Sequence, residues 1–378
     1  MKGKKIISLM TVVALALAAC GGKSTPTTAP VERSAETVQM LQKMQAIAAS
    51  GSYMFGHQDD VVYGHTWNGC IGDPAFEGRS DTKEVCGDYP GIIGFDLGRL
   101  ELGHDKNLDG VPFDKMRREI VAQYERGGMT TLSWHLDNPL TGGDAWDYSN
   151  TGTVASILPG GEKHEEFIAR MERVANFFAS LVTAEGVHVP VLFRPWHEHT
   201  GSWFWWGQDI CTTEQYKALW RMTYDFMQSR GLDNLLWAYG PGAEPHTLDQ
   251  YFERYPGDDI VDVLGFDTYQ GNDRDFYVQD LERCILLVAD AAKAHGKVAA
   301  ITETGYEGTP DAQWWTGTLG ATIAHAAAPI AYVLVWRNAW DKPGHHYGVY
   351  PGHESEQDFL TFSERPEVLF ASDVKKAK

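Results

Sequence analysis

Two glutamates stand out by what surrounds them. Glu198 lies in the run Arg194-Pro-Trp-His-Glu-His-Thr-Gly-Ser-Trp-Phe-Trp-Trp-Gly207, beside Trp196, Trp203, Phe204, Trp205 and Trp206. Glu303 follows the β-rich stretch 297–302 and opens the triplet Glu-Thr-Gly. An apolar wall disfavours the charged form of a carboxyl group, which suits Glu198 to hold and donate a proton. Glu303 must instead stay ionised, and a hydroxyl such as that of Tyr269 would favour this by donating a hydrogen bond. A protonated carboxyl and a charged one about 5–5.5 Å apart can break an acetal bond: one protonates the leaving oxygen, the other attacks the carbon. The aromatic residues fit the same chemistry, since flat rings cover the C–H faces of a pyranose while polar groups meet its hydroxyls. Trp67, Trp146, Trp314 and Trp315 either extend such a cleft or pack in the core. A lone glutamate in a chain with 51 acidic residues is usually a solvated surface group. The chemistry open to these two glutamates therefore depends on where they are held.

Eight β-rich runs punctuate the chain, at 52–56, 91–96, 129–134, 189–194, 234–239, 261–266, 297–302 and 331–336. Most are continuous apolar stretches, the signature of strands buried on both faces of a parallel sheet. Between them lie helical patterns. Phe167, Met171, Val174, Phe178 and Leu181 line one face at three- and four-residue spacing, Thr212 offers a cap before the next run, and 275–295 is a third. Strands alternating with helices predict a single α/β domain, a (β/α)8 barrel over 39–378. In that fold the active site forms at the carboxyl ends of the strands. Those ends carry His57, Gln58, Asp96, His135, His197, Glu198, Tyr239, Asp267, Tyr269, Glu303 and Trp336. Strands four and seven lie roughly opposite each other in such a ring, so Glu198 and Glu303 can converge over its centre.

The fourteen-residue segment around Glu198 closely resembles the acid/base segment of glycoside hydrolase family 26, the β-mannanases. Ile301-Thr-Glu-Thr-Gly305 resembles that family's nucleophile segment. Ser133-Trp-His-Leu-Asp-Asn-Pro139, Gly265-Phe-Asp-Thr-Tyr269 and Phe55-Gly-His-Gln58 are also similar to it. The resemblance runs from about Met40 to the end. It implies a retaining double displacement on β-1,4-mannan or mannooligosaccharides, with Glu198 as acid/base and Glu303 as nucleophile. It further implies that His197 positions the acid, Tyr269 bonds the nucleophile and His135 contacts the sugar. Trp336 would lie beneath that sugar, with Trp203 on the leaving side. Other family members cut another β-glucan or a β-1,3-xylan, which the catalytic pair does not distinguish. A non-catalytic carbohydrate-binding lipoprotein would lack one carboxylate. No cofactor and no metal are expected.

The chain's ends and charge bear on location. Lys2, Lys4 and Lys5 precede a short apolar stretch, and Leu17-Ala18-Ala19-Cys20 resembles a bacterial lipobox. The expected organisation is a signal peptide over 1–19, then a lipidated Cys20 with a flexible tether over 20–38, then the barrel. This implies a monomeric outer-membrane lipoprotein, facing the periplasm or the cell surface and attached through lipid alone. A net charge of -19 excludes nucleic acid as a natural partner. Four further cysteines permit two disulfides, Cys70 with Cys86 as the favoured pair and Cys211 with Cys284 by elimination, or four free thiols. The run Asp105-Lys-Asn107-Leu-Asp109-Gly110 resembles the start of a calcium loop but has Met116 where the closing glutamate belongs, so a turn is expected. That stretch, 101–113, would wall one end of the cleft and favour mannobiose release. His345, His346 and His353 show no metal-binding spacing and are expected in a solvated loop.

Overall fold

Alternate residues along the barrel strands go to two different cores. The computed structural model describes residues 31–377. Its parallel strands are β1 (Tyr53–Gln58), β2 (Ile92–Asp96), β3 (Met129–Ser133), β4 (Val191–Arg194) and β5 (Leu235–Tyr239). β6 has two segments, Val263–Leu264 and Asp267–Gln270, as does β7, Val298–Ala299 and Ile301–Tyr306, and β8 is Tyr332–Val335. Met54, Ile92, Met129, Leu192, Leu236, Val263, Val298 and Leu334 gather in one cluster with Met40, Met44 and Ile47 of the helix Ala35–Ala49. That helix starts at Ser34, whose side chain accepts from the Thr37 amide. Its apolar stripe closes the lower mouth, each buried side chain contributing about 1.5–3 kcal/mol. Phe55, Ile93, Leu132, Phe193, Trp237, Leu264, Ile301 and Val333 face the other way, into the larger core under the outer helices. The period of two in the strands thus divides barrel lumen from helix layer.

The ring closes as the sequence predicts. Each strand pairs in parallel with the next, and β8 returns to β1. The long helices Phe113–Arg126, His164–Ala179, Thr213–Ser229 and Arg274–His295 follow β2, β3, β4 and β6. Thr212 and Gln215 form a reciprocal cap at the third of these. Gly127 and Gly296 end two of the helices at positive φ, 98° and 66°, where a side chain would be strained.

One departure from regularity matters for the site. Val298 lies opposite Val263, yet Glu303 lies opposite Asp267, so β7 spends one more residue than β6 over that stretch. The register against β8 slips at the same place, between Ile301 and Thr304. The Thr302 and Glu303 amides both donate to the Phe266 carbonyl, at 3.0 and 3.5 Å. This is a β-bulge, and it reverses the side-chain alternation. Val298, Ala300 and Thr302 share a face; without the bulge Glu303 would point outward into the helix layer.

The disulfide expectation is overturned, because all four described cysteines are free. Each sulfur has another partner. Cys70 and Cys86 donate to the carbonyls of Val62 and Asp88, both at 3.5 Å. Cys211 lies 3.4 Å from the Trp206 carbonyl, and Cys284 accepts from Arg283 at 3.3 Å. Among the described residues no helix is long and apolar enough to cross a membrane. The predicted leader and Cys20 lie outside the described residues.

Candidate active site

Arg194 ends β4 with its side chain buried in the lumen. One guanidinium nitrogen donates to Asp267 Oδ2 at 2.8 Å and the other to Glu303 Oε1. Beyond it the chain turns sharply. Trp196 and Glu198 both take left-handed backbone angles, φ 56° and 51°, which cost a non-glycine residue on the order of 1 kcal/mol or more each. Surrounding contacts hold them there. The buried Trp196 ring donates to Thr223, its carbonyl accepts the Tyr216 hydroxyl at 2.7 Å, and the Glu198 amide donates to the Gly240 carbonyl at 2.8 Å. The result is a Glu198 carboxyl aimed over the barrel mouth.

The two glutamates have opposite surroundings. Glu198 receives one protein donor, the Trp203 indole, 2.7 Å from Oε2. Burial and the nearby charge of Glu303 push its pKa up to about 7, against the opposing pull of Trp203, Arg194 and His135. Glu303 is charge-paired through Oε1 to Arg194, and its Oε2 accepts the Tyr269 hydroxyl at 2.7 Å. Both of its oxygens therefore meet donors that stabilise a carboxylate. An oxygen each of Glu198, Asp267 and Glu303 lie within 4.8 Å of one another. Three carboxyls at this spacing would suit a hard cation by number alone, but Arg194 already supplies the positive charge to two of them.

A second relay lies alongside. His135 Nδ1 is 2.7 Å from Asp96 Oδ2, and its Nε2 faces His197 Nε2 at 3.2 Å. Burial alone would lower the His135 pKa, but the Asp96 carboxylate overrides this and raises it. Burial, Arg194 and His135 hold His197 well below the usual histidine range. The two rings share one hydrogen bond through their Nε2 atoms. Asp96 is kept ionised by His135, by Ser133 Oγ at 2.7 Å and by the Gly98 amide at 2.7 Å. Trp146 stacks on the His135 ring at 5.1 Å, and Trp336 stands edge-on to it at 6.2 Å, half-buried.

The structure brings together His135, His197, Glu198, Trp203, Tyr269, Glu303 and Trp336 at one face. It removes other candidates from it. Trp67, Trp314 and Trp315 are buried, with their indoles bonded to Asp81, Gln270 and Ser355. Tyr239 points into the helix layer and donates to the Tyr251 carbonyl. Only Trp146 of the four extra tryptophans is exposed. The stretch 105–110 is a turn: Asn107 accepts from the amides of Asp109 and Val111, and Asp109 pairs with Arg337 at 2.9 Å. His346 and His353 lie buried, bonded to the Pro343 carbonyl and to Ser355, so the solvated loop expected for them is corrected. Arg194 was the residue sequence reasoning passed over, although a charged side chain ending the apolar run Val-Leu-Phe is the signal that could have found it.

The profile of glycosyl hydrolase family 26 matches residues 30–317. The chain belongs to that family. Among its relatives, a mannan endo-1,4-β-mannosidase of Bifidobacterium adolescentis is 30% identical over 366 residues, covering 90% of this chain. This chain spans only 35% of that protein's length. A Bacillus subtilis enzyme of the same name is 29% identical, over 70% of this chain and 73% of its own. A solved GH26 β-mannanase from Bacteroides ovatus superposes with a TM-score of 0.86 at 52% identity, covering 90% of this chain and 96% of that one. An endo-β-1,4-mannanase from Cellulomonas fimi gives 0.82 at 33%, covering 91% and 77%. These matches account for the barrel, and the matched residues 30–317 include both glutamates.

Proposed function

We propose that this family-26 chain is an endo-acting β-1,4-mannanase that cleaves mannan and mannooligosaccharides with retention. One observation carries the reading: Glu198 and Glu303 present carboxyl oxygens within 4.8 Å, one raised to about 7 and one held between Arg194 and Tyr269. Carboxyls this close fit a retaining pair better than the roughly 6.5–9.5 Å of an inverting one. In the first step Glu198 gives its proton to the glycosidic oxygen while Glu303 attacks the anomeric carbon. The C–O bond to the leaving chain breaks and a glycosyl ester forms. Glu198, now charged, takes a proton from water, which attacks the same carbon and frees Glu303. Tyr269 and Arg194 hold the nucleophile, and His135 makes a polar contact to the bound sugar. Trp336 lies beneath that sugar and Trp203 flanks the leaving side. The four proteins compared above are all named as mannanases or mannosidases, which supports the substrate class.

The loop 101–113 favours mannobiose among the products. Its support is rigidity: Asn107 bonds the Asp96 carbonyl, Asp109 pairs with Arg337, and buried Glu101 accepts from Trp134 and Asp137. The leader and Cys20 motif support a lipid-anchored, monomeric protein of the outer membrane. Sugar release from linear β-1,4-mannan, cellohexaose and β-1,3-xylan, with Glu303→Ala beside the wild type, tests the reading. Mannan cleavage abolished by the substitution is expected. Activity confined to another polysaccharide would overturn the substrate, and a mixture of long early products would overturn the loop's role.

A further inference from the structure

The bulge in β7 has a lock. Thr302 is 1% exposed, and its hydroxyl lies 2.7 Å from Asp267 Oδ1 and 2.9 Å from the Phe266 carbonyl. A hydroxyl has one proton to give, and the carboxylate is the stronger acceptor. Asp267 passes the constraint on through its other oxygen to Arg194, and Arg194 holds Glu303 Oε1. Thr302 and Glu303 are neighbours in the chain, so the contacts close a ring: Thr302 to Asp267, Asp267 to Arg194, Arg194 to Glu303. The ring spans the residue at which the side-chain alternation reverses. Opposite Thr302 the barrel leaves a deliberate gap. A Cβ on Gly265 would come 2.3 Å from Thr302 Cγ2 and 2.6 Å from Oγ1, and one on Gly240 would meet the hydroxyl at 3.2 Å. Gly265, between the two segments of β6, and Gly240, just past β5, therefore carry no side chain where Thr302 tucks in.

We infer that Thr302 is a positioning residue for the nucleophile: its hydroxyl, tied to Asp267, fixes the β7 bulge that turns Glu303 into the barrel mouth. Without the hydroxyl, the peptide between Thr302 and Glu303 is free to rock about the shared Phe266 carbonyl, and Asp267 loses the donor that sets its orientation towards Arg194. Substrate contacts made by Trp336, Trp203 and His135 are untouched. The defect therefore falls on the rate of attack and not on binding, which separates Thr302 from a residue that merely supports the fold.

The inference rests on the retaining-mannanase reading, and its test distinguishes the two. Thr302→Val keeps shape and removes the hydroxyl; Thr302→Ser keeps the hydroxyl and removes the methyl; Thr302→Ala removes both. Initial rates on a β-1,4-mannooligosaccharide are measured for each with the wild type alongside, together with melting temperature. Expected for Thr302→Val and Thr302→Ala is a kcat lower by about 10- to 100-fold, the scale for a nucleophile misplaced by up to about an ångström. KM should stay within about twofold, and Thr302→Ser should recover most of kcat. If valine does not fold, the serine and alanine variants still differ in the hydroxyl alone. Wild-type-like kcat in a folded variant lacking the hydroxyl would overturn the inference. So would a serine variant as slow as the alanine one, or a loss expressed in KM. A wild type inert on mannan would instead overturn the function on which it rests.

Discussion

Replacing Trp203 by Phe removes one hydrogen-bond donor and keeps an aromatic surface at the cleft. The indole N–H is 2.7 Å from Glu198 Oε2 and is the single protein donor on that carboxyl. A hydrogen bond to a charged group contributes about 1.5–3 kcal/mol, or about 1–2 pH units at 1.36 kcal/mol each. Trp203 is 38% exposed, so water replaces part of that interaction and the expected effect falls to about 0.5–1 pH unit. The sign follows from which form is stabilised. The N–H favours the ionised carboxyl, so its loss favours the protonated one and moves the Glu198 pKa above about 7. Glu198 must be protonated to donate, so activity falls as pH rises through that pKa. The basic limb of kcat/KM, which reports the free enzyme, moves upward in Trp203→Phe. Initial rates from pH 4 to 9 on a soluble mannooligosaccharide measure it. A basic limb that stays in place or moves downward refutes the reasoning, whatever happens to the maximal rate.

Three other outcomes are expected. Glu198→Gln melts above the wild type at pH 8, by about 5 °C for the roughly 3 kcal/mol of buried-charge cost removed. The folded pKa of about 7 exceeds the ordinary 4.5, so the cost grows as pH rises between them and is complete above 7; at pH 4 the two proteins should melt together in calorimetry. Trp336→Ala loses the ring under the bound sugar, and kcat/KM on mannotetraose should fall by about 10- to 100-fold, the equivalent of 1.4–2.8 kcal/mol. Alkylation of the denatured, unreduced protein should label Cys70, Cys86, Cys211 and Cys284, and a mass spectrum showing any of them bridged would contradict the free thiols.

What could be read from sequence was whatever local pattern determines. The apolar runs located all eight strands, and the fourth and seventh delivered Glu198 and Glu303 to the same mouth, because strand order in a barrel fixes which ends meet. The Glu198 carboxyl is pushed up as the sequence predicts, by burial and the charge of Glu303, while Trp203 of the aromatic run pulls the other way. What stayed hidden depends on register and on partners distant in sequence. Nothing in Ile-Thr-Glu-Thr-Gly reveals that β7 carries an extra residue relative to both neighbours, yet that residue turns Glu303 inward. Arg194 reads as one charge at a strand end until Asp267 and Glu303 close around it. Trp67, Trp314 and Trp315 look like cleft residues in a string of letters, but each indole finds a buried acceptor. The cysteine pairing failed for a related reason: an even count shows that bridges are permitted, while backbone carbonyls and Arg283 decide where each sulfur sits.

The central claim is that Glu198 and Glu303 act as a close pair, one as acid and one as nucleophile. Proton NMR of the first anomer released from mannopentaose tests it most directly, read before mutarotation mixes the products. The β-anomer should appear first with the wild type, and Glu303→Ala should release none on that timescale. The α-anomer appearing first would mean that water attacks directly, which contradicts a nucleophilic Glu303 within 4.8 Å of its acid.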